Sequence, residues 1–95
     1  MNSDQPIPEL LQAEWGSDQV LQLFDDLRDG AVIEHVQLKA SGRDTTVTIG
    51  QARAAFSDGT ADAIQVRYLF EGETWCDTIM PATPTTKIIR NRLPS

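Results

Sequence analysis

The sequence predicts a two-layer α+β domain, with two or three helices on one face of a four-stranded, mostly antiparallel sheet. Three observations predict it. Ser17 to Gly30 carries apolar residues at helical spacing. Ala31 to Ala40 then switches to strand-like alternation, and Ala63 to Met80 alternates on both sides of a glycine bend.

Taken in order, residues 1–16 read as an N-terminal tail with a possible short helix, and residues 17–95 as a single α+β domain. Met1 to Pro6 has no periodicity. Pro8 suits the first turn of a short helix, where its missing N–H costs nothing. Leu10, Leu11, Glu14 and Trp15 continue at helical spacing, Trp15 serves as an anchor onto the domain, and Gly16 is the stop.

Ser17 or Asp18 is the expected cap of the next helix. Val20, Leu23, Phe24 and Leu27 form its apolar face, Arg28 complements the C-terminal dipole, and Gly30 ends it. In the following strand, Val32, Val36 and Leu38 fall on one face and Ile33, His35, Gln37 and Lys39 on the other. Ser41 to Asp44 reads as a turn or loop. Thr45 to Ile49 has β-branched alternation, but Thr48 and Gln51 match a capping box and QARAAF is rich in helix formers, so a helix is predicted over 49–57.

An internal echo accompanies that helix. Asp29-Gly30 precedes Gln37-Leu38-Lys39 much as Asp58-Gly59 precedes Gln65-Val66-Arg67, the pattern of two helix–strand units. After Pro81 to Pro84, Thr86 to Leu93 reads as a last strand, with Ile88 or Ile89 inward and Lys87, Arg90 and Arg92 outward.

The hairpin admits two registers. A two-residue loop at Glu71-Gly72 pairs Tyr68 with Trp75 and sets Asp77 opposite Val66, on the face that should be dry. A three-residue loop instead sends Cys76 inward with Ile64, Val66 and Tyr68, and sends Trp75 and Asp77 outward beside Arg67. The second is expected, because burying an unpaired carboxylate costs several kcal/mol, on the order of a desolvated charge. A one-residue slip exchanges the faces. The expected register also makes Arg67 and Trp75 a cation–π pair.

Composition narrows the function. Ninety-five residues, 40% of them hydrophobic and 23% charged, suit one ordinary globular domain rather than a disordered chain. Residues 1–35 hold Asp4, Glu9, Glu14, Asp18, Asp25, Asp26, Asp29 and Glu34 against Arg28 alone, whereas the remainder is nearly balanced within a net charge of −6. A nucleic-acid binder gathers basic residues, so no nucleic-acid partner is expected. No apolar run is long enough for a membrane span, and the first ten residues lack the features of a signal peptide, so no membrane association is expected. One cysteine, Cys76, permits no internal disulfide and fits a reducing, cytoplasmic setting. One cysteine and one histidine do not make a usual zinc site, and neither metal nor cofactor is expected.

No catalytic motif is visible, which leaves enzymatic activity open but less favoured. The sequence alone does not identify the function. The class it supports is a small non-enzymatic interaction module that self-associates, from its β-branched edge strands, small core, uneven charge and outward Trp75. The alternative is a ligand-binding domain, or as a less favoured form an enzyme, whose polar sheet face, built from His35, Gln37, Lys39, Gln65, Arg67 and Asp77, takes an anionic metabolite through charge and paired amide groups. A third reading presents Asp25, Asp26 and Asp29 of the first helix to a basic partner.

Overall fold

The computed structural model describes residues 10–94. Its elements are β1 (Leu10–Trp15), α1 (Ser17–Gly30), β2 (Val32–Ala40), β3 (Arg43–Thr46), α2 (Ile49–Asp58), β4 (Ala63–Phe70), β5 (Glu73–Met80) and β6 (Thr86–Arg92). Among the described residues the fold is α+β, with two helices and six strands rather than four. The strands form one sheet in the order β1-β6-β5-β4-β2-β3, and every adjacent pair is antiparallel.

The two additional strands lie at the two edges. Leu10 to Trp15 was expected to be helical and is instead β1, paired along its length with β6, Trp15 opposite Thr86. Helical spacing over six residues is weak when a strand edge offers a full ladder of hydrogen bonds. Pro8, the expected start of a helix there, lies outside the described residues. At the other edge, Ser41-Gly42 forms a tight turn with both φ values positive, 53° and 77°, so of the expected turn or loop it is the turn, and the chain returns as an additional strand, β3.

Because neighbours alternate in direction, β1 and β2 run the same way, and so do β3 and β4. The connections β1-α1-β2 and β3-α2-β4 therefore cross over the sheet. These are the two helix–strand units of the sequence echo, and they place Gln37 of β2 directly opposite Gln65 of β4.

Both helices lie on one face, here called the closed face. Val20, Leu23, Phe24 and Leu27 of α1 are buried, as their spacing predicts. The cap differs from expectation: Gly16, not Ser17 or Asp18, precedes the first turn, and its N–H donates to Gln19 Oε1 at 3.2 Å. At α2 the capping box is reciprocal, as Thr48 and Gln51 predict. Gln51 N donates to Thr48 Oγ1 at 3.1 Å, and Thr48 N donates to Gln51 Oε1 at 2.9 Å. Gly59 closes α2 in the left-handed conformation, φ 76°. The helices meet through Phe24 and Phe56, centroids 6.0 Å apart, and through Arg53, which donates to both Asp25 carboxylate oxygens.

Sheet parity corrects three expectations. The β4–β5 turn has two residues, with Glu71 at φ 51° and Gly72 at φ 79°, so Tyr68 pairs with Trp75, Arg67 with Cys76 and Val66 with Asp77. The three-residue register is overturned: Trp75 and Asp77 are buried, and Cys76 lies on the opposite, open face. On β2 a bulge at Glu34 shifts the register. Ile33 consequently packs against the core and Val32 is 62% exposed, the reverse of simple alternation. On β6 Ile88 is inward, and Arg90, two residues on, is inward with it rather than outward.

Candidate functional site

The expected six-residue patch divides between the two faces. His35 pairs with Arg67 and Gln37 with Gln65, and Lys39 follows on the same side of β2. Those five side chains share the open face. Asp77 does not: it is fully buried on the closed face, and Cys76 and Thr78 flank the five instead.

The five do not converge on one cavity either. Gln37, Lys39 and Gln65 line a depression of about 210 Å³ with Asp44, Ala63 and Thr78. His35 lines a different, more open hollow with Ile33, Val36 and Thr46. Arg67 lies 3.9 Å from Glu34, so part of its charge is met on the sheet surface. His35 and Cys76 sit two strands apart with Arg67 between them, beyond the reach of a thiolate–imidazolium pair. Burial, with help from the negative charge of Asp77, pushes the Cys76 thiol up, which keeps it protonated at neutral pH.

The open face is otherwise a mixture of short polar and apolar side chains. One row across it reads Thr46, Gln37, Gln65, Thr78, Ile89 and Gln12. Leu69, Cys76, Met80 and Ile89 are only partly buried there, and no helix covers them.

The chemistry that sequence reasoning missed is on the closed face. Arg90 Nε donates to Asp77 Oδ1 and Arg90 Nη2 to Asp77 Oδ2, both at 2.8 Å. Tyr68 donates its hydroxyl to Asp77 Oδ1 at 2.9 Å, and the Arg90 guanidinium lies over the Tyr68 ring, 5.9 Å from its centroid. The expected cation–π partners, Arg67 and Trp75, are on opposite faces. Three charge-assisted bonds satisfy the carboxylate, which is why the two-residue register is tolerated. Burial, reinforced by the Asp77 charge, pushes the Tyr68 phenol far above its ordinary value, so it remains a donor throughout the physiological range. The hydrogen bond to Asp77 pushes the Arg90 guanidinium up and holds it charged.

This cluster borders a groove of about 300 Å³ between α1 and the sheet, whose lining includes Trp15, Leu27, Tyr68, Phe70 and Arg90. The signal for it was parity on β6. If Ile88 faces inward then so does Arg90, and an inward cation requires an inward anion across the ladder, which Asp77 supplies.

Among the described residues no three His, Cys, Asp or Glu side chains group as a metal ion would need. No described helix is long and apolar enough to cross a membrane. Searches against protein-family models, curated proteins and solved structures found no match.

Proposed function

We propose that this chain is a small non-enzymatic interaction module whose partner is a second copy of itself, engaged through the open sheet face. The observation that carries this reading is that both helices lie on one side of a six-stranded sheet, leaving Leu69, Cys76, Met80 and Ile89 partly exposed on the other. Exposed apolar sheet surface in a small domain commonly marks an interface.

Size and charge support it. Six strands about 4.8 Å apart and about 17–20 Å long present on the order of 500 Å² in projection. Side-chain relief brings that toward the roughly 800 Å² per partner of a standard interface. Two acidic chains repel one another, and the outer side of α1, with Asp18 and Asp29, is the worst surface to bring together. The open face instead places Lys39 opposite Asp44 at one flank and Lys87 opposite Glu14 at the other, so like charge is not concentrated there. A reducing, cytoplasmic setting accords with the single thiol on that face.

Sedimentation over a range of concentrations tests the reading. A dimer that dissociates on dilution, and that Ile89→Lys abolishes, supports it. A strict monomer at high concentration removes it.

The depression lined by Gln37, Lys39 and Gln65 supports a second reading, a weak site for a small anion bearing hydrogen-bonding groups. Its volume of about 210 Å³ falls below the usual range for ligand sites, which ranks it behind self-association. A melting temperature unmoved by a panel of anionic metabolites would dispose of it.

A further inference from the structure

The groove under α1 is left unused by the open-face reading. At about 300 Å³ it reaches the lower end of the range for small-molecule sites. Leu23 and Leu27 of α1 form one apolar wall, and Trp15 and Phe70 contribute aromatic surface from the sheet. Phe70 is 43% exposed although it continues the inward alternation of Ile64, Val66 and Tyr68. A large aromatic on the core-facing parity of a strand, left open beside a cavity, offers a ligand contact surface.

Among the described residues two charged side chains line the groove, Arg90 and Asp26, and they are not equivalent. Arg90 is held by Asp77 through two bonds of 2.8 Å, so its charge is matched and its geometry fixed. Asp26 accepts from Gln22 Nε2 at 2.9 Å, a neutral partner. Its neighbours on α1 are matched by cations, Asp25 by Arg53 and Asp29 by Arg28. With Asp77 included, the groove therefore carries one surplus negative charge, at Asp26. An anion approaching Arg90 meets that charge and the field of a chain with net charge −6, whereas a cation is favoured by both.

We propose that the groove binds a small organic ammonium carrying an aromatic or branched apolar group. The ammonium is set by the Asp26 carboxylate, and the nearer of the two rings that line the groove, Trp15 or Phe70, adds the attraction of an aromatic quadrupole for a cation. The apolar group lies against Leu23 and Leu27. Arg90 and Tyr68, locked together by Asp77, form a rigid floor and contribute no surplus charge. This site is on the opposite side of the sheet from the proposed self-association surface and does not depend on it.

The test is a calorimetric titration of the full chain with three probes of similar shape: phenethylammonium, phenethyl alcohol and hydrocinnamate. The expected order is ammonium, then alcohol, then carboxylate. Asp26→Asn, an exposed position, is expected to keep the melting temperature, to weaken phenethylammonium about tenfold and to leave the alcohol unchanged. Three results overturn the proposal: hydrocinnamate binding most tightly, phenethylammonium binding unaffected by Asp26→Asn, or none of the probes binding at millimolar concentration.

Discussion

The two faces of β5 are built from alternate residues of one eight-residue strand, yet they solve opposite problems. Trp75, Asp77 and Ile79 face the helices and are buried, whereas Cys76, Thr78 and Met80 face away and are not. Among the described residues the closed face contains one fully buried charge, Asp77, and every hydrogen-bonding need of that carboxylate is met. The open face contains apolar side chains that water should reject, and nothing within the described chain covers them. A buried charge with its partners in place is a finished structural feature. An uncovered apolar surface is an unfinished one, and this contrast directs the functional reading to the open side.

The sharpest way to break the contrast is to remove the charge partner on the closed face. Asp77→Ala leaves Arg90 partly buried without its carboxylate and is expected to cost about 3–5 kcal/mol in urea unfolding at neutral pH. Replacing both partners, Asp77→Leu with Arg90→Met, is expected to recover most of that loss. A double variant as unstable as the single would mean that packing, not charge pairing, dominates the site. Phe24→Ala, which opens a cavity between α1, α2 and the sheet, is expected to cost a similar amount, about 3–5 kcal/mol, on the same assay.

A smaller effect comes from Tyr68. Its phenol pKa is raised in the folded chain above the ordinary value of 10.0, so on raising the pH the unfolded chain loses this proton first. The associated stability is complete below pH 10 and is lost as pH climbs from there toward the folded value. Tyr68 is the sole tyrosine, so ultraviolet titration reads it directly. An inflection near the ordinary value in the native protein would contradict its burial beside Asp77. Tyr68→Phe should flatten the alkaline fall in stability.

The smallest expected effect is at the hairpin turn. Glu71 holds φ 51°, a conformation that asparagine adopts more readily than glutamate. Glu71→Asn is expected to stabilise the fold by about 0.5–1 kcal/mol, read as a higher denaturant midpoint. No gain would mean that Glu71 makes a compensating interaction in the native turn.

These residues also show what was legible in the sequence. Both helices were legible because Val20, Leu23, Phe24 and Leu27 repeat at helical spacing and because Thr48 and Gln51 form a reciprocal cap. The edge strands were not. β1 borrows its stability from the ladder with β6, and β3 is a four-residue strand exposed throughout, so neither has a strong signal of its own. The hairpin register failed for a more specific reason. Burial of Asp77 looked prohibitive while it was counted as unpaired, and its partner lies thirteen residues away on a strand whose parity was left open between Ile88 and Ile89. The turns at Ser41-Gly42 and Glu71-Gly72 were legible from their glycines, but their two-residue length was not, because neither Ser41 nor Glu71 is a residue that usually takes positive φ. Of the expected polar patch, five residues share one sheet face, which alternation and the echo anticipate, and Asp77 moved when the register moved.

Cys76 is the position where both halves of the account meet, since it must be reachable from solvent in one copy and covered when two copies associate. The decisive measurement is the rate of alkylation of this single thiol in the native protein at low and high protein concentration, at a pH high enough to form thiolate. The account predicts reaction without global unfolding at low concentration and a clear slowing as concentration rises. A thiol that reacts only through unfolding would contradict the assignment of the faces, and a rate independent of concentration would contradict self-association through the open one.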